Sequence, residues 1–219
     1  MRQANLITLT DPRSQASEAY RTLRTNLLFS SLDEPLHTLV VTSPAPEEGK
    51  STALANLAVT FAQGGHRTAI VDCDLRRPSQ HVIWGIAQEP GLTSMALGNM
   101  DTPPFADVGV ENLRVLPSGP LPPNPADVLG SARMDAIIAR LKTEADFVMF
   151  DAPPVIAVTD AALLATKLDG VMLVLRAGGT RREHAERAKE LLERIGVRIV
   201  GAVLTDAEVD TRVVSYYGE

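Results

Sequence analysis

Short apolar runs alternate with longer segments of mixed polarity along most of the chain. A buried strand is a short apolar run, whereas an amphipathic helix repeats its apolar positions every three to four residues, so the two element types can be distinguished. The predicted strands are residues 38–43, 67–71, 113–116, 146–150, 170–175 and 198–204, and the predicted helices are residues 14–31, 51–63, 126–142, 159–167 and 181–195. This alternation is typical of βαβ crossovers and predicts an α/β fold, with a mostly parallel central sheet flanked by helices on both faces.

Two segments interrupt the alternation. Residues 76–110 are irregular and contain Pro90-Gly91, which predicts an excursion over the edge of the sheet where ligands bind. Residues 116–125 contain too many prolines for a helix or a central strand. We predict that they form an ordered loop leading into the helix from Ala126, either as a rigid connector or as a lining of the site.

Length and composition favour one soluble domain. With 219 residues, of which 45% are hydrophobic, the chain can bury a core, and we predict a single domain over residues 1–219. The net charge of −6 gives no support for a nucleic-acid partner. A single cysteine fits a reducing compartment. No apolar run approaches the roughly 20 residues of a membrane span, so we expect a cytoplasmic protein without direct membrane insertion.

The segment Gly49-Lys50-Ser51-Thr52 follows the predicted strand at residues 38–43 and leads into the predicted helix at residues 51–63. A strand, a short turn and a helix N-terminus together hold polyphosphate, because the exposed N–H groups and the positive end of the helix attract anions. In such a loop the lysine neutralises phosphate oxygens and the serine hydroxyl binds Mg²⁺. Pro44 stands where the usual G-x-x-x-x-G-K-[ST] pattern begins with glycine. Taken alone, the segment is therefore also compatible with a simple helix cap.

Two further predicted strands run into carboxylates: one into Asp72-Cys73-Asp74, the other into Asp151. Open α/β sheets bind ligands at the carboxyl ends of their strands. Asp72 and Asp74 lie on the same side of an extended chain, and Cys73 points the opposite way into packing, because strand side chains alternate. Together with the preceding loop, this arrangement predicts a magnesium and nucleotide site. The alternative is that the aspartates only cap helices or face solvent.

The motifs described above belong to a larger set of segments that extends over nearly the whole chain. They are residues 7–9, 18–27, 49–52, 71–78, 117–119, 122–125 and 150–154. Together they resemble the bacterial tyrosine kinases, or BY-kinases, which use a P-loop ATPase core and are unrelated to eukaryotic protein kinases. The resemblance implies a P-loop NTPase fold with a Walker A loop at residues 49–52, a Walker A′ motif at Asp72 and Asp74, and a Walker B aspartate at Asp151.

The same resemblance implies a function. It predicts an ATP-dependent protein-tyrosine autokinase, with ATP and Mg²⁺ as cofactors, that phosphorylates C-terminal tyrosines in trans. Such kinases regulate the synthesis or export of exopolysaccharide or capsule. Lys50 would neutralise the phosphates, and Ser51, Asp74 and Asp151 would hold the metal. Asp72 receives the base-like role and Asp74 the metal-linked one, although the sequence alone leaves their exchange open.

Residues around this motif set complete the predicted site. Arg76 is placed to reach the transferred phosphate or to form a surface ion pair. Glu47 stands where many relatives have glycine, so its side chain must turn outward or weaken nucleotide binding. Relatives often place an adenine-contacting asparagine near Thr205 and Asp206, and either side chain could accept a hydrogen bond from the adenine amine. The predicted catalytic set is Lys50, Asp72, Asp74, Arg76 and Asp151, and the predicted nucleotide-binding set is Glu47, Glu48, Gly49, Lys50, Ser51, Thr52, Thr205 and Asp206.

Tyr216 and Tyr217 are the predicted phosphoacceptors. They lie in a polar, glycine-containing C-terminal segment, residues 211–219, which we expect to be a flexible tail. A tail tyrosine that enters the active site of a neighbouring subunit must be mobile. The alternative is that both are simply exposed aromatic residues.

Glu18, Arg21 and Arg24 recur every three residues on the first predicted helix, which places them along one side of it. By itself this spacing is typical of a solvated helix face. The resemblance instead implies an E-x-x-R-x-x-R motif that forms subunit contacts near the active site of the neighbour. Residues 1–31 are therefore predicted to be an oligomerisation region, with a homo-oligomer, in the family's case a ring, as the assembly.

Relatives act with a transmembrane activator of the polysaccharide co-polymerase type, so the resemblance predicts such a partner and recruitment to the inner face of the cell membrane. Two alternatives stay open. A partitioning or positioning ATPase of the ParA/MinD kind would share the Walker motifs, and a nucleotide-binding scaffold with weak kinase activity is compatible with Glu47 and the short tail. The proline-rich segment, the first helix and the tail tyrosines favour the kinase.

Overall fold

The computed structural model describes residues 4–30 and 35–208, so Tyr216 and Tyr217 lie outside the described residues. In these residues seven strands form one sheet. The strands are β1 (Thr38–Thr42), β2 (Thr68–Asp72), β3 (Ala106–Asp107), β4 (Leu113–Leu116), β5 (Phe147–Asp151), β6 (Gly170–Arg176) and β7 (Ile199–Thr205). The helices are α1 (Ile7–Thr10), α2 (Gln15–Ser30), α3 (Lys50–Gln63), α4 (Gln80–Trp84), α5 (Leu92–Ala96), α6 (Pro125–Gly130), α7 (Ala132–Glu144), α8 (Asp160–Ala165) and α9 (Arg182–Arg194).

The strand order is β3-β4-β2-β5-β1-β6-β7. All neighbouring strands are parallel except β3 and β4, which are antiparallel. The predicted α/β fold with a mostly parallel sheet is therefore confirmed. In this order β1, β2 and β5 lie side by side, and Asp72 pairs in register with Asp151. The chain thus brings the carboxyl ends of three strands to one point on the sheet edge.

Helices cover both faces of the sheet because the central strands are apolar on both sides. Val40 of β1 packs into one core with side chains of α5 to α9. Its neighbours Leu39 and Val41 pack into the other core with side chains of α2, α3 and α4. Every residue of α3 from position 53 to position 62 is buried, since this helix lies between the sheet and α2. Among the helices of residues 4–30 and 35–208, none is both long and apolar enough to span a membrane.

Each predicted strand is present, with its ends within one residue of the predicted positions. The predicted helix at 126–142 is wrong in one respect, because α6 and α7 are separate helices. Ser131 separates them: its backbone is extended, with ψ 155°, and its hydroxyl accepts a hydrogen bond from Met134 N. A serine in this position caps a new helix instead of continuing the previous one. The prediction missed β3 and the short helices α1, α4 and α5, which are too brief to show a periodic pattern.

The proline-rich loop is ordered, as predicted, because it hydrogen-bonds to the start of α5. Leu92 N donates to Pro117 O at 2.8 Å, and Thr93 N donates to Ser118 O at 2.9 Å. Gly91 permits this close approach, since a Cβ atom there would lie 2.2 Å from Pro117 O and from Gly119 N. The loop is therefore fixed from two sides before it enters α6.

Candidate functional site

The loop between β1 and α3 turns sharply at residues with left-handed backbone. Glu47 has φ 62° and Gly49 has φ 81°, and α3 begins at Lys50. Glu47 is exposed, which matches the first of the two alternatives, an outward side chain rather than weakened nucleotide binding. The backbone N–H groups of the first helical turn have no partner within the helix, which is the arrangement that binds phosphate.

Lys50 connects the acidic residues of this edge. Its Nζ lies 3.0 Å from Asp74 Oδ2, 3.0 Å from Asp151 Oδ1 and 3.1 Å from Ser51 Oγ. Burial alone would lower the pKa of Lys50, but the charges and hydrogen bonds of Asp151 and Asp74 raise it above its ordinary value. The ammonium group is therefore fully protonated and neutralises part of the carboxylate charge. Four of the predicted site residues thus converge on one point.

Asp72 lies beside this cluster without an ion pair to Lys50. Its Oδ2 accepts hydrogen bonds from Ser79 N at 3.0 Å and Gln80 N at 2.9 Å. Burial of the carboxyl group and the nearby charge of Asp151 raise the pKa of Asp72 to about 7, although the two backbone N–H groups and the charge of Lys50 act in the opposite direction. A carboxylate with this pKa can accept a proton near neutral pH.

The donor set on this edge fits Mg²⁺. Ser51 Oγ and the carboxylates of Asp74 and Asp151 all contact Lys50 Nζ, and hard oxygen atoms are the ligands that Mg²⁺ prefers. In the part of the chain that the structure describes, no group of three or more His, Cys, Asp or Glu residues is arranged to hold a metal alone. This chemistry suits a cation that also binds phosphate oxygens, as Mg²⁺ does in nucleotide sites.

Arg76 is directed elsewhere. Its Nε and Nη2 atoms form two hydrogen bonds with the carboxylate of Asp160, at 2.8 and 3.0 Å, and Asp160 is fully buried. The geometry corresponds to the ion-pair alternative, except that the partner carboxylate is buried and not at the surface, and a catalytic role for Arg76 stays a prediction. Cys73, in contrast, points into the core as predicted, and burial raises its pKa well above the ordinary value.

Glu48 and Thr205 stabilise the loop between β1 and α3 through hydrogen bonds. Glu48 is buried, and its carboxylate accepts hydrogen bonds from Ala45 N at 3.1 Å and Thr180 Oγ1 at 2.6 Å. Thr205 Oγ1 donates to Glu48 O at 2.8 Å. Asp206 forms an ion pair with Arg176 at 2.8 Å. These contacts show that Glu48 and Thr205 stabilise the loop, and nucleotide contacts of Glu48, Thr52, Thr205 and Asp206 stay predictions.

Gln80 belongs to the site but was not predicted to do so. Its Nε2 donates to Asp151 Oδ2 at 2.8 Å and to Ser51 O at 3.1 Å. A single glutamine in an irregular segment has no motif to mark it. The only available signal was its position shortly after the Asp72 and Asp74 pair.

The three charged residues of α2 divide into two groups. Glu18 and Arg21 form an ion pair of 2.7 Å at the surface. Arg24 instead turns toward the C-terminus of α3, where its Nη1 donates to Thr60 O at 2.6 Å. Arg24 therefore has a contact with another helix of its own chain, whereas Glu18 and Arg21 pair with each other at the surface, and the role of all three in subunit contacts stays a prediction.

Known proteins match this chain over most of its length. The model of the CobQ/CobB/MinD/ParA nucleotide binding domain matches residues 39–215. Tyrosine-protein kinase YwqD of Bacillus subtilis (strain 168) is 40% identical, over 99% of this chain and 92% of that protein. The putative tyrosine-protein kinase CapB of Staphylococcus aureus is 36% identical, over 95% of this chain and 92% of that protein.

Solved structures agree with these matches. The kinase domain of Escherichia coli tyrosine kinase ETK has a TM-score of 0.88 and 29% identity, covering 95% of this chain and 84% of that one. The septum site-determining protein MinD from Pyrococcus horikoshii OT3 has a TM-score of 0.65 and 21% identity, covering 77% and 70%. The likeness to MinD concerns the fold alone, whereas the likeness to the ETK kinase domain extends over almost the whole chain.

Proposed function

Because the chain belongs to the bacterial tyrosine kinases, we propose that it transfers the γ-phosphoryl group of ATP to tyrosine hydroxyls. It acts as an autokinase in the control of exopolysaccharide or capsule synthesis. The observation that carries this proposal is the contact of Lys50 with Ser51, Asp74 and Asp151 at the strand ends, with Asp72 buried beside them. These are the groups that phosphoryl transfer requires for charge neutralisation, metal binding and proton removal.

The reaction is a direct displacement. The tyrosine oxygen forms a bond to the γ-phosphorus, the bond from that phosphorus to the β,γ-bridging oxygen breaks, and ADP leaves with the electron pair. Asp72 accepts the hydroxyl proton. Lys50 offsets negative charge on the phosphate oxygens, and Ser51, Asp74 and Asp151 would hold Mg²⁺. When bound, Mg²⁺ adds positive charge at the β- and γ-phosphates.

The geometry favours Asp72 over Asp74 as the base. Asp74 is ion-paired with Lys50, so its carboxylate is already in contact with a cation. Asp72 has no such pair in the described residues, and its pKa of about 7 matches the working pH of a general base. Asp74 is accordingly assigned to the metal.

Tyr216 and Tyr217 are the acceptors in this proposal, and phosphorylation occurs in trans between subunits of a homo-oligomer. A transmembrane activator recruits the protein to the inner face of the cell membrane.

The products of the reaction distinguish the kinase from a ParA/MinD-like ATPase. With Mg²⁺ and ATP, we expect phosphotyrosine to accumulate on the protein, and its formation should depend on Tyr216 and Tyr217. Release of inorganic phosphate without phosphotyrosine would favour the ATPase.

The surface pair of α2 provides a test of the assembly. We expect the double variant Glu18→Ala/Arg21→Ala to form smaller particles than the wild type, measured by size-exclusion chromatography with light scattering. A matched control is Arg182→Ala/Glu186→Ala, which removes an exposed helical ion pair of 2.8 Å from α9. An unchanged particle mass in the α2 variant would exclude this pair from the subunit contact.

Arg24 should behave differently from Glu18 and Arg21. Its hydrogen bond to Thr60 O places a positive charge at the C-terminus of α3. Arg24→Ala should therefore lower the free energy of unfolding by about 1–2 kcal/mol, whatever its effect on assembly. Denaturant unfolding of Arg24→Ala, of Glu18→Ala/Arg21→Ala and of the α9 control separates a loss of stability from a loss of subunit contact.

A further inference from the structure

Gln80 is held in a single orientation by groups on three sides. Its side chain is fully buried, and its Oε1 accepts a hydrogen bond of 3.1 Å from Trp84 Nε1. An indole N–H only donates, so it identifies the oxygen end of the carboxamide. The Nε2 end is consequently directed at Asp151 Oδ2 and Ser51 O.

These contacts determine how Asp151 is presented to the site. Gln80 occupies Oδ2 of the Asp151 carboxylate at 2.8 Å, and Lys50 lies 3.0 Å from Oδ1. The second hydrogen bond of Gln80, to Ser51 O at 3.1 Å, connects the end of β5 to the first turn of α3. Asp151 and Ser51, two of the three proposed metal ligands, are thus linked by the side chain of Gln80.

We propose that Gln80 is a positioning residue that orients Asp151 for Mg²⁺, and that Trp84 fixes the orientation of Gln80. This inference rests on the proposed function, because it assigns Asp151 and Ser51 to Mg²⁺. Hydrogen-bond partners of metal-binding carboxylates commonly change metal affinity or activity by about 10- to 100-fold when they are removed. Leucine is close to glutamine in size but cannot donate a hydrogen bond, so Gln80→Leu isolates this contribution.

The test is calorimetric titration with ADP in the presence and absence of Mg²⁺, which measures binding without turnover. In Gln80→Leu we expect the apparent affinity for Mg²⁺ in the presence of ADP to fall roughly tenfold or more. The affinity for ADP without Mg²⁺ should stay that of the wild type. Gln88→Leu is the matched control, because Gln88 Nε2 donates to Gly119 O at 3.0 Å and not to Asp151 or Ser51.

Trp84→Phe is the second variant, and it tests the positioning role of Gln80 if Gln80→Leu does not fold. It retains an aromatic ring in the core but loses the N–H that orients Gln80, so the Mg²⁺ affinity should fall roughly threefold. Equal losses of ADP affinity with and without Mg²⁺, or no loss at all, would overturn the positioning role. Failure of the wild type to bind ADP with Mg²⁺ would instead overturn both the proposed function and the positioning role of Gln80.

Discussion

Lys50→Met should stop tyrosine phosphorylation and also destabilise the folded protein. Lys50 Nζ lies 3.0 Å from both Asp74 and Asp151, and both of these carboxylates are buried. Removing a group that stabilises charge in the transition state typically lowers the rate by about 10²- to 10³-fold. Breaking a buried ion pair from one side costs about 3–5 kcal/mol, because it leaves uncompensated charge. The rate of phosphotyrosine formation and denaturant unfolding measure the two effects.

Mg²⁺ should partly reverse the loss of stability in this variant. Because Asp74 and Asp151 would hold the cation, added Mg²⁺ should raise the thermal midpoint of Lys50→Met more than that of the wild type. Lys189→Met is the control, since Lys189 forms an exposed ion pair of 3.5 Å with Glu193, and such a pair contributes little stability. Wild-type stability or a nearly wild-type phosphorylation rate in Lys50→Met would contradict the role assigned to Lys50.

Asp72→Asn should remove the base while retaining the local structure. The amide oxygen of asparagine can still accept hydrogen bonds from Ser79 N and Gln80 N, which now bind Asp72 Oδ2. The side chain can no longer take a proton from tyrosine. Loss of a positioned base typically lowers the rate by about 10²- to 10⁴-fold. Phosphotyrosine formation should fall accordingly, whereas ADP binding with Mg²⁺ should persist.

Asp146→Asn makes the same chemical change at the surface, where Asp146 is paired with Arg67. It should leave the rate of phosphorylation unchanged. If Asp72→Asn and Asp146→Asn phosphorylate equally well, Asp72 is not the base. Loss of ADP binding in Asp72→Asn would instead indicate that the carboxylate acts mainly in building the site.

Much of the fold follows from local patterns. The strands β1, β2 and β5 are predicted because each is a short apolar run, and the parallel sheet follows from the helices between them. The positions of Asp72 and Asp151 at carboxyl ends of strands follow from the same pattern, whereas the adjacency of β2 and β5 comes from the strand order of the sheet. The break at Ser131 was not predicted, because the competing cap depends on one hydroxyl and one N–H group.

The site was predictable where the residues belong to motifs and not where they depend on distant contacts. Lys50, Asp74 and Asp151 converge as the motifs indicate. The partners of Gln80 and Arg76, Asp151 and Asp160, lie 71 and 84 residues away in sequence. Such pairs depend on how α4 and α8 pack against the strand ends, which no local pattern contains. The division of Arg24 from Glu18 and Arg21 likewise depends on the position of α3.

The most direct test of the kinase function is mass spectrometry of the purified protein after incubation with Mg²⁺ and ATP. Intact mass and peptide mapping should show phosphoryl groups on Tyr216 and Tyr217 of the wild type. They should be absent from Tyr216→Phe/Tyr217→Phe and from Lys50→Met. When Lys50→Met is mixed with active wild type, its tail should become phosphorylated, because transfer occurs in trans. Hydrolysis of ATP by the wild type with no phosphotyrosine would contradict the kinase function.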